Sequence, residues 1–336
     1  MLTRTPSTLT LVTTLRCTAS CKECCFECNP SRKQRMSLDE MKRYCQEAIQ
    51  SFPSIKLIVF TGGECFLLGK DLYEMVSYVH SYGLKSRIIS NAFWANSYDA
   101  AYNCLKKLKD CGLTEINYST GDDHQEFIPI QNIKNAVNAS LNLEIITCVN
   151  IETRNDRNFG VADFISDDEI KKQLSINRGQ FRVIAGMWMP FTEEALKQLP
   201  HKDKGTYTIQ CGRCENLFES VNIMPDGKMI ACCGLASKYM KYLHLGSMCS
   251  GKVKLLYDKQ FNDFLKLWLF VDGPYKILEF IERKKTEVPE LKYDSHMCFY
   301  CACLFSNPDY MHIAQNYYKE KYDNVMMKYF LIHKNN

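Results

Sequence analysis

Between residues 8 and 185 the sequence alternates six times between short runs rich in Val, Ile, Leu, Phe and Thr and longer runs of helical period. The strand-like runs are 8–14, 55–60, 84–90, 114–119, 143–150 and 180–185. Among the helical runs, 37–51 is the clearest: Ser37 and Glu40 form a capping box, and Leu38, Met41, Cys45, Ala48 and Ile49 share one face. A run over 98–111 follows Ser97 and stops at Gly112, and further helices are expected near 72–82, 131–141 and 161–174. Strand followed by helix, repeated, demands a parallel sheet with its crossovers on the outside. Six units fall short of an eight-stranded closure, so an α/β fold of the partial (β/α)6 barrel type is expected. In such sheets the chemistry gathers at the C-terminal ends of the strands.

The pattern changes near residue 205. Met224-Pro225-Asp226-Gly227-Lys228 reads as a turn between strands over 220–224 and 228–232, with helices after it at 258–270 and 275–285 and a helical tail from 309. The reading divides the chain into a barrel domain, 1–205, a small domain, 206–310, and a tail, 311–336. With a first strand starting near residue 8, no separate N-terminal peptide-recognition domain is expected.

A net charge of +4 is too mild to imply nucleic acid or a membrane surface, and no apolar run is long enough to span a bilayer. The N-terminus lacks the apolar core of a secretory signal, so the cytoplasm is the expected location. The anomaly is cysteine, 18 residues in 336, bunched as five over Cys17–Cys28, four over Cys211–Cys233 and three over Cys298–Cys303. Bunched thiols without an export signal point to metal binding.

Cys17, Cys21 and Cys24 stand at C-x3-C-x2-C directly after the first strand. Three thiolates from one loop suit an iron–sulfur cluster with one iron left open; zinc is the rival. The second strand ends in Gly62-Gly63-Glu64, where paired glycines allow close backbone approach and a carboxylate can hold an ammonium group. Further on, Cys214, the hairpin, Cys232 and Cys298-x2-Cys301 can converge on a second cluster or a structural zinc. Cys211 competes with Cys214, and Cys249 and Cys303 compete more weakly. Cys233, next to Cys232 in a strand, would point to the opposite face, either as a small buried residue or as a thiol able to return a hydrogen atom to a carbon radical.

Together these strings resemble the radical S-adenosylmethionine superfamily. The resemblance implies that Cys17, Cys21 and Cys24 hold a 4Fe–4S cluster. Its open iron would chelate S-adenosylmethionine, with Gly62, Gly63, Glu64, Ser90 and Asn91 around the methionine end. Phe26 would pack on the adenine, because the aromatic residue usual before the third cysteine is Glu23 here. The second group resembles the shortened auxiliary-cluster domain, called twitch and related to SPASM, with Cys214, Cys232, Cys298 and Cys301 as ligands of an auxiliary 4Fe–4S cluster.

Cys24-Cys25-Phe26, Phe60-Thr61-Gly62-Gly63-Glu64, Ser90-Asn91-Ala92-Phe93-Trp94 and Cys232-Cys233 are similar to the peptide epimerases among these enzymes, which act on ribosomally made precursor peptides. That likeness implies removal of a Cα hydrogen from an L-residue and return of hydrogen from Cys233 to the other face. It also implies an external one-electron reductant such as flavodoxin or ferredoxin. An acidic residue is expected at position 121, where this chain has glycine. Asp122, Asp123 and His124 read as a polar loop with an N-capping aspartate or as substrate-positioning groups. The basic run Arg32-Lys33-Gln34-Arg35 reads as a solvated loop able to attract an acidic peptide. A maturase forming C–C or C–S cross-links is the alternative within the class, and a non-catalytic zinc-binding scaffold the alternative outside it.

Overall fold

The computed structural model describes residues 2–153, 158–187, 212–248, 251–285 and 296–334. Two compact units emerge. The first holds residues 8–190 and 223–227; the second holds residues 1–7, 191–222 and 228–336.

The first unit is built on six parallel strands, β1 (Thr8–Thr14), β2 (Leu57–Gly62), β3 (Lys85–Ser90), β4 (Glu115–Thr120), β5 (Ile146–Thr153) and β6 (Phe181–Met187), adjacent in chain order. The register runs Thr8↔Leu57, Leu57↔Lys85, Arg87↔Glu115, Glu115↔Ile146 and Thr147↔Phe181. β1 has buried residues on both faces, as a strand covered on both sides must: Leu9, Leu11 and Thr13 on one, Thr10, Val12 and Thr14 on the other. Between the strands run α1 (Leu38–Ser51), α2 (Lys70–Ser81), α3 (Tyr98–Asp110), a single turn α4 (Asp122–Gln125), α5 (Ile130–Asn142), α6 (Val161–Ser166) and α7 (Asp168–Ile176). The capping box at Ser37 forms as expected, and α1 buries Met41, Tyr44, Cys45 and Ala48. This is a partial-barrel arrangement: six parallel strands with helical crossovers between them.

Three local expectations are corrected. The helix expected over 161–174 is two, because Asp167 takes an extended conformation (φ −63°, ψ 129°) and its carboxylate caps α7 by accepting from the Glu169 and Ile170 N–H groups. β2 and β5 start two and three residues late: Ile55 lies in the turn after α1, and Leu143 is the C-cap of α5. Their apolarity serves burial before the strand begins.

In the second unit residues 220–222 of β7 (Ser220–Ile223), β8 (Lys228–Ile230) and β9 (His244–Ser247) lie side by side, β8 antiparallel to β9. The expected helix over 258–270 begins later, at Phe264. Asp263 caps it and also accepts from the Tyr242 hydroxyl at 2.5 Å. The helix continues to Glu282 through a kink at Gly273 (φ 76°), the residue before Pro274. A Cβ at Gly273 would fall 2.0 Å from the Gly212 carbonyl oxygen, so glycine is needed there for the close approach as well as for the turn. This helix is buried nearly all round, with Trp268, Leu269, Phe270, Ile277 and Ile281 in the core. The helices Pro308–Tyr317 and Lys319–Lys334 belong to this unit, and Lys328 reaches back to Asp272 at 2.8 Å. The N-terminal segment joins it too: Tyr329 donates to the Leu2 carbonyl at 3.0 Å, and the Arg4 guanidinium sits over the Phe270 ring. Among the described residues no helix is long and apolar enough to cross a membrane.

Candidate active site

The glycines after β2 let that strand end against the loop that leaves β1. The Gly63 N–H donates to the Thr14 carbonyl at 2.7 Å and the Glu64 N–H to the Arg16 carbonyl at 2.9 Å. A Cβ on Gly62 would lie 2.3 Å from the Thr14 oxygen, and one on Gly63 would lie 2.1 Å from the Arg16 oxygen. Both obstacles are main chain, so neither can swing aside. Gly63→Ala is therefore expected to displace the cysteine loop and cost about 1–3 kcal/mol in unfolding free energy, the range for overpacking a tight site. In Gly69→Ala the new Cβ meets nothing within 4 Å, and only the left-handed φ of +59° resists it. Denaturant midpoints of the two variants separate the effects.

Glu64 is fully buried. Its carboxylate accepts from the Ser90 hydroxyl at 3.0 and 3.1 Å, the Asn91 N–H at 2.8 Å and the Phe66 N–H at 3.0 Å. Burial nevertheless pushes its carboxyl up to about 7. Asn91 extends the network to the cysteine loop: its amide nitrogen lies 3.1 Å from the Thr18 hydroxyl and 3.6 Å from the Cys17 sulfur. The ends of β2 and β3 and the loop after β1 are thus knitted at one edge of the sheet, where parallel folds place their chemistry. Trp94 donates its indole N–H to Ser90, stacks on Phe66 at 4.3 Å and walls this network.

Within the loop, the Cys24 N–H donates to the Cys21 carbonyl at 3.2 Å, the Glu27 N–H to the Cys24 carbonyl at 2.9 Å and the Cys28 N–H to the Cys24 sulfur at 3.5 Å. Every described cysteine is a thiol and not a disulfide. Burial pushes the Cys17 thiol up to about 11, whereas hydrogen bonding from Cys28 draws Cys24 down to about 6. Phe26, expected near the adenine, is half-buried in the same loop.

The end of β4 departs from expectation in an informative way. In place of the acidic residue expected at 121 stands Gly121, with φ +142°, and a Cβ there would fall 1.8 Å from Cγ of Glu152. Thr120 pairs with Ile151, so residues 121 and 152 are neighbours across β4 and β5, and the carboxylate is supplied by the adjoining strand. Buried Glu152 accepts from the Asp123 N–H and meets His124 Nδ1 at 3.0 Å. Asp123, also buried, accepts from the Glu23 N–H at 3.2 Å and so ties the cysteine loop to the end of β4. Asp122 accepts from the N–H groups of Asn158 and Phe159, at 2.7 and 3.0 Å, and the turn's N-cap is Gly121. Glu152 was not legible before the register was known.

The second cysteine group lies within the second unit. Cys214, Cys232, Cys298 and Cys301 all line one cavity of about 390 Å³, with Gly234, Pro274 and His296 among its other walls. Cys298 and Cys301 sit three residues apart on the helix Met297–Ser306 and so share a face. His296 caps that helix by accepting from the Cys298 N–H at 3.1 Å. A Cβ on Gly234 would come 3.2 Å from the Cys298 sulfur and 3.5 Å from the Cys232 sulfur, so this glycine leaves room around the thiols. Cys303, on the same helix, is buried away from this lining, and Cys211 and Cys249 lie outside the described residues. The strand expected to carry Cys232 ends at Ile230, so strand alternation does not separate Cys232 from Cys233. The two still differ: Cys232 is buried and Cys233 is exposed. Among the described residues no three Cys, His, Asp or Glu side chains close on a single ion.

Residues 11–143, which span β1 to the end of α5, match the Radical SAM superfamily. Residues 11–143 thus form a radical S-adenosylmethionine domain, a kind of domain whose equipment is a 4Fe–4S cluster and S-adenosylmethionine. The chain is similar to the "Putative peptide biosynthesis protein YydG" of Bacillus subtilis (strain 168), at 25% identity over 322 residues, covering 93% of this chain and 96% of the relative. In fold it is similar to tagged anSMEcpe with bound AdoMet, at a TM-score of 0.53 and 12% identity over 98% of this chain and 96% of that one. Native anSMEcpe with bound AdoMet and Cp18Cys peptide aligns at a TM-score of 0.49 and 12% identity, over 97% and 99% of the two chains.

Proposed function

We propose that the protein modifies a ribosomally made precursor peptide by converting an L-residue to its D-form. Similarity to a putative peptide biosynthesis protein over nearly the whole chain supports the peptide substrate. The observation that carries epimerisation is the contrast at Cys232-Cys233: one sulfur is turned into a four-thiol cavity, the next is exposed. Cys17, Cys21 and Cys24 would hold the first 4Fe–4S cluster, beside Gly62, Gly63, Glu64, Ser90 and Asn91 as the methionine-end residues and Phe26 on the adenine. The four-thiol cavity and the space left at Gly234 fit an auxiliary 4Fe–4S cluster on Cys214, Cys232, Cys298 and Cys301.

When bound, the cluster and S-adenosylmethionine supply a 5′-deoxyadenosyl radical that takes the Cα hydrogen of the target residue. The chain's own residues do the rest. Glu64, locked by Ser90 and Asn91, fixes the strand ends against the cysteine loop, so the reacting groups meet in one geometry. The Cys233 S–H bond breaks as a new Cα–H bond forms on the opposite face. The sulfur is left as a thiyl, which one electron and one proton return to the thiol. The electrons come from an external one-electron carrier, a flavodoxin or ferredoxin.

Turnover in heavy water tests this. Thiol hydrogens exchange with solvent, so each modified residue is expected to gain one deuterium at Cα, with no mass change in ordinary water and a D-residue on chiral amino-acid analysis. Loss of two hydrogens without a D-residue would overturn epimerisation in favour of a cross-link.

A further inference from the structure

A cavity of about 470 Å³ lies in the first unit on the segment that flanks the first cysteine loop. Its walls include Arg16, Arg32, Lys33 and Arg35, with Pro30 and Leu67 between them. Two of the cations are already matched: Arg35 pairs with Asp71 at 2.5 Å, and Arg32 lies 3.8 Å from Glu27. Arg16 and Lys33 are exposed and form no ion pair among the described residues. The cavity therefore carries an excess of positive charge on a partly apolar floor.

The cavity is rigidly joined to the cysteine loop. Arg16 immediately precedes Cys17, and while its carbonyl accepts from Glu64, its side chain lines the cavity. The opposite wall is stitched to the same stretch: the Cys17 N–H donates to the Asn29 carbonyl at 3.1 Å, Leu15 N–H and the Thr14 hydroxyl both donate to the Gln34 carbonyl at 3.0 Å, and Met36 N–H donates to the Thr13 carbonyl at 2.8 Å. Whatever seats on this face is held one residue from a cysteine of C-x3-C-x2-C.

We propose that this basic cavity is the docking face for an acidic one-electron carrier protein. The inference rests on the assignment of Cys17, Cys21 and Cys24 as the cluster site. A site that must be reduced by an external protein needs a surface where that protein can approach the metal. Redox encounters are small and weakly held, and they are selected by complementary charge more than by area. Unmatched arginine and lysine beside the cysteine loop fit an acidic rim and steer its approach. One electron passes from the reduced carrier, which is oxidised, to the cluster, which is reduced, and no proton moves.

Lys33→Glu tests the face without touching any residue of the proposed cofactor site. Titration with a purified acidic flavodoxin at low ionic strength is expected to show about tenfold weaker binding than wild type. The gap should shrink as salt is added. 5′-Deoxyadenosine formation driven by limiting flavodoxin should fall in parallel, whereas formation driven by dithionite, which needs no docking, should equal wild type. Unchanged flavodoxin affinity would overturn the proposal. So would intact flavodoxin binding with weakened affinity for the peptide, which would assign the face to the substrate. Failure of wild type to form 5′-deoxyadenosine with dithionite would strike the cluster assignment, and the flavodoxin titration would still read the docking face on its own.

Discussion

Alanine at Cys21 is expected to reduce 5′-deoxyadenosine formation to background while leaving the fold intact. In the proposed assignment Cys21 supplies one of three sulfurs, and a cluster held by two protein ligands would lose a third of its anchorage. The main chain keeps its bonds: the Cys21 carbonyl still accepts from the Cys24 N–H, and the Asp123 carboxylate still holds the Glu23 N–H. Cys21 is a better choice for this test than Cys24. Cys28 lies beside Cys24 and hydrogen-bonds to its sulfur, so a neighbouring thiol stands ready to substitute there. Under oxygen-free reconstitution wild type is expected to hold about eight irons, and Cys21→Ala about four, retained on the second cysteine group. Iron analysis with absorption and electron paramagnetic resonance reads this directly. A variant that keeps the full iron complement and still cleaves S-adenosylmethionine would remove Cys21 from the ligand set.

How far the sequence led can be seen residue by residue. The six strands of the sheet were legible because each is a short apolar run between turn signals, and β1 starts and stops where its composition does. Glu64, Ser90 and Asn91 were legible as positions at strand ends, and they meet within hydrogen-bond distance because β2 and β3 pair in parallel register. Glu152 was not legible. Its place beside Gly121 depends on which residue of β5 faces Thr120, and register is a tertiary property that local pattern does not carry. Negative charge at the end of β4 comes from the next strand, and a glycine stands where an acidic side chain would have collided with Glu152.

The second unit was harder for a related reason. Its cysteines come from a loop, the residues after a hairpin and a distant helix, and only folding brings Cys214, Cys232, Cys298 and Cys301 to one cavity. The spacing of Cys298 and Cys301 was read as that of two ligands; the structure puts both on one face of a helix, Met297–Ser306, that the sequence reading did not include, and the same geometry sets Cys303 apart from them. Gly234 and His296 carried no local signal, since one serves by lacking a side chain and the other by capping a helix that the sequence reading did not include. The Gly273-Pro274 kink, by contrast, was foreshadowed by the interval between the two expected helices; the structure joins them through the bend.

Cys233→Ala is expected to abolish D-residue formation, by at least about a hundredfold or ~2.7 kcal/mol in the barrier, while S-adenosylmethionine cleavage continues. In the proposed mechanism, hydrogen abstraction and hydrogen return use different groups. Removing the thiol leaves the first step its full machinery and denies the second its donor. Cys233 is exposed, so truncation opens no core cavity, and Cys232, Cys214, Cys298 and Cys301 are untouched. The iron content should therefore match wild type. Cys233→Ser sharpens the test: it restores size and polarity, but an O–H bond is too strong to yield its hydrogen to a carbon radical, so serine should fail as completely as alanine. Recovery with serine would make position 233 a polar contact and not a donor. Unchanged D-residue formation in Cys233→Ala would place the donor elsewhere in the protein, and the exposed sulfur beside Cys232 would then have no part in the stereochemical outcome.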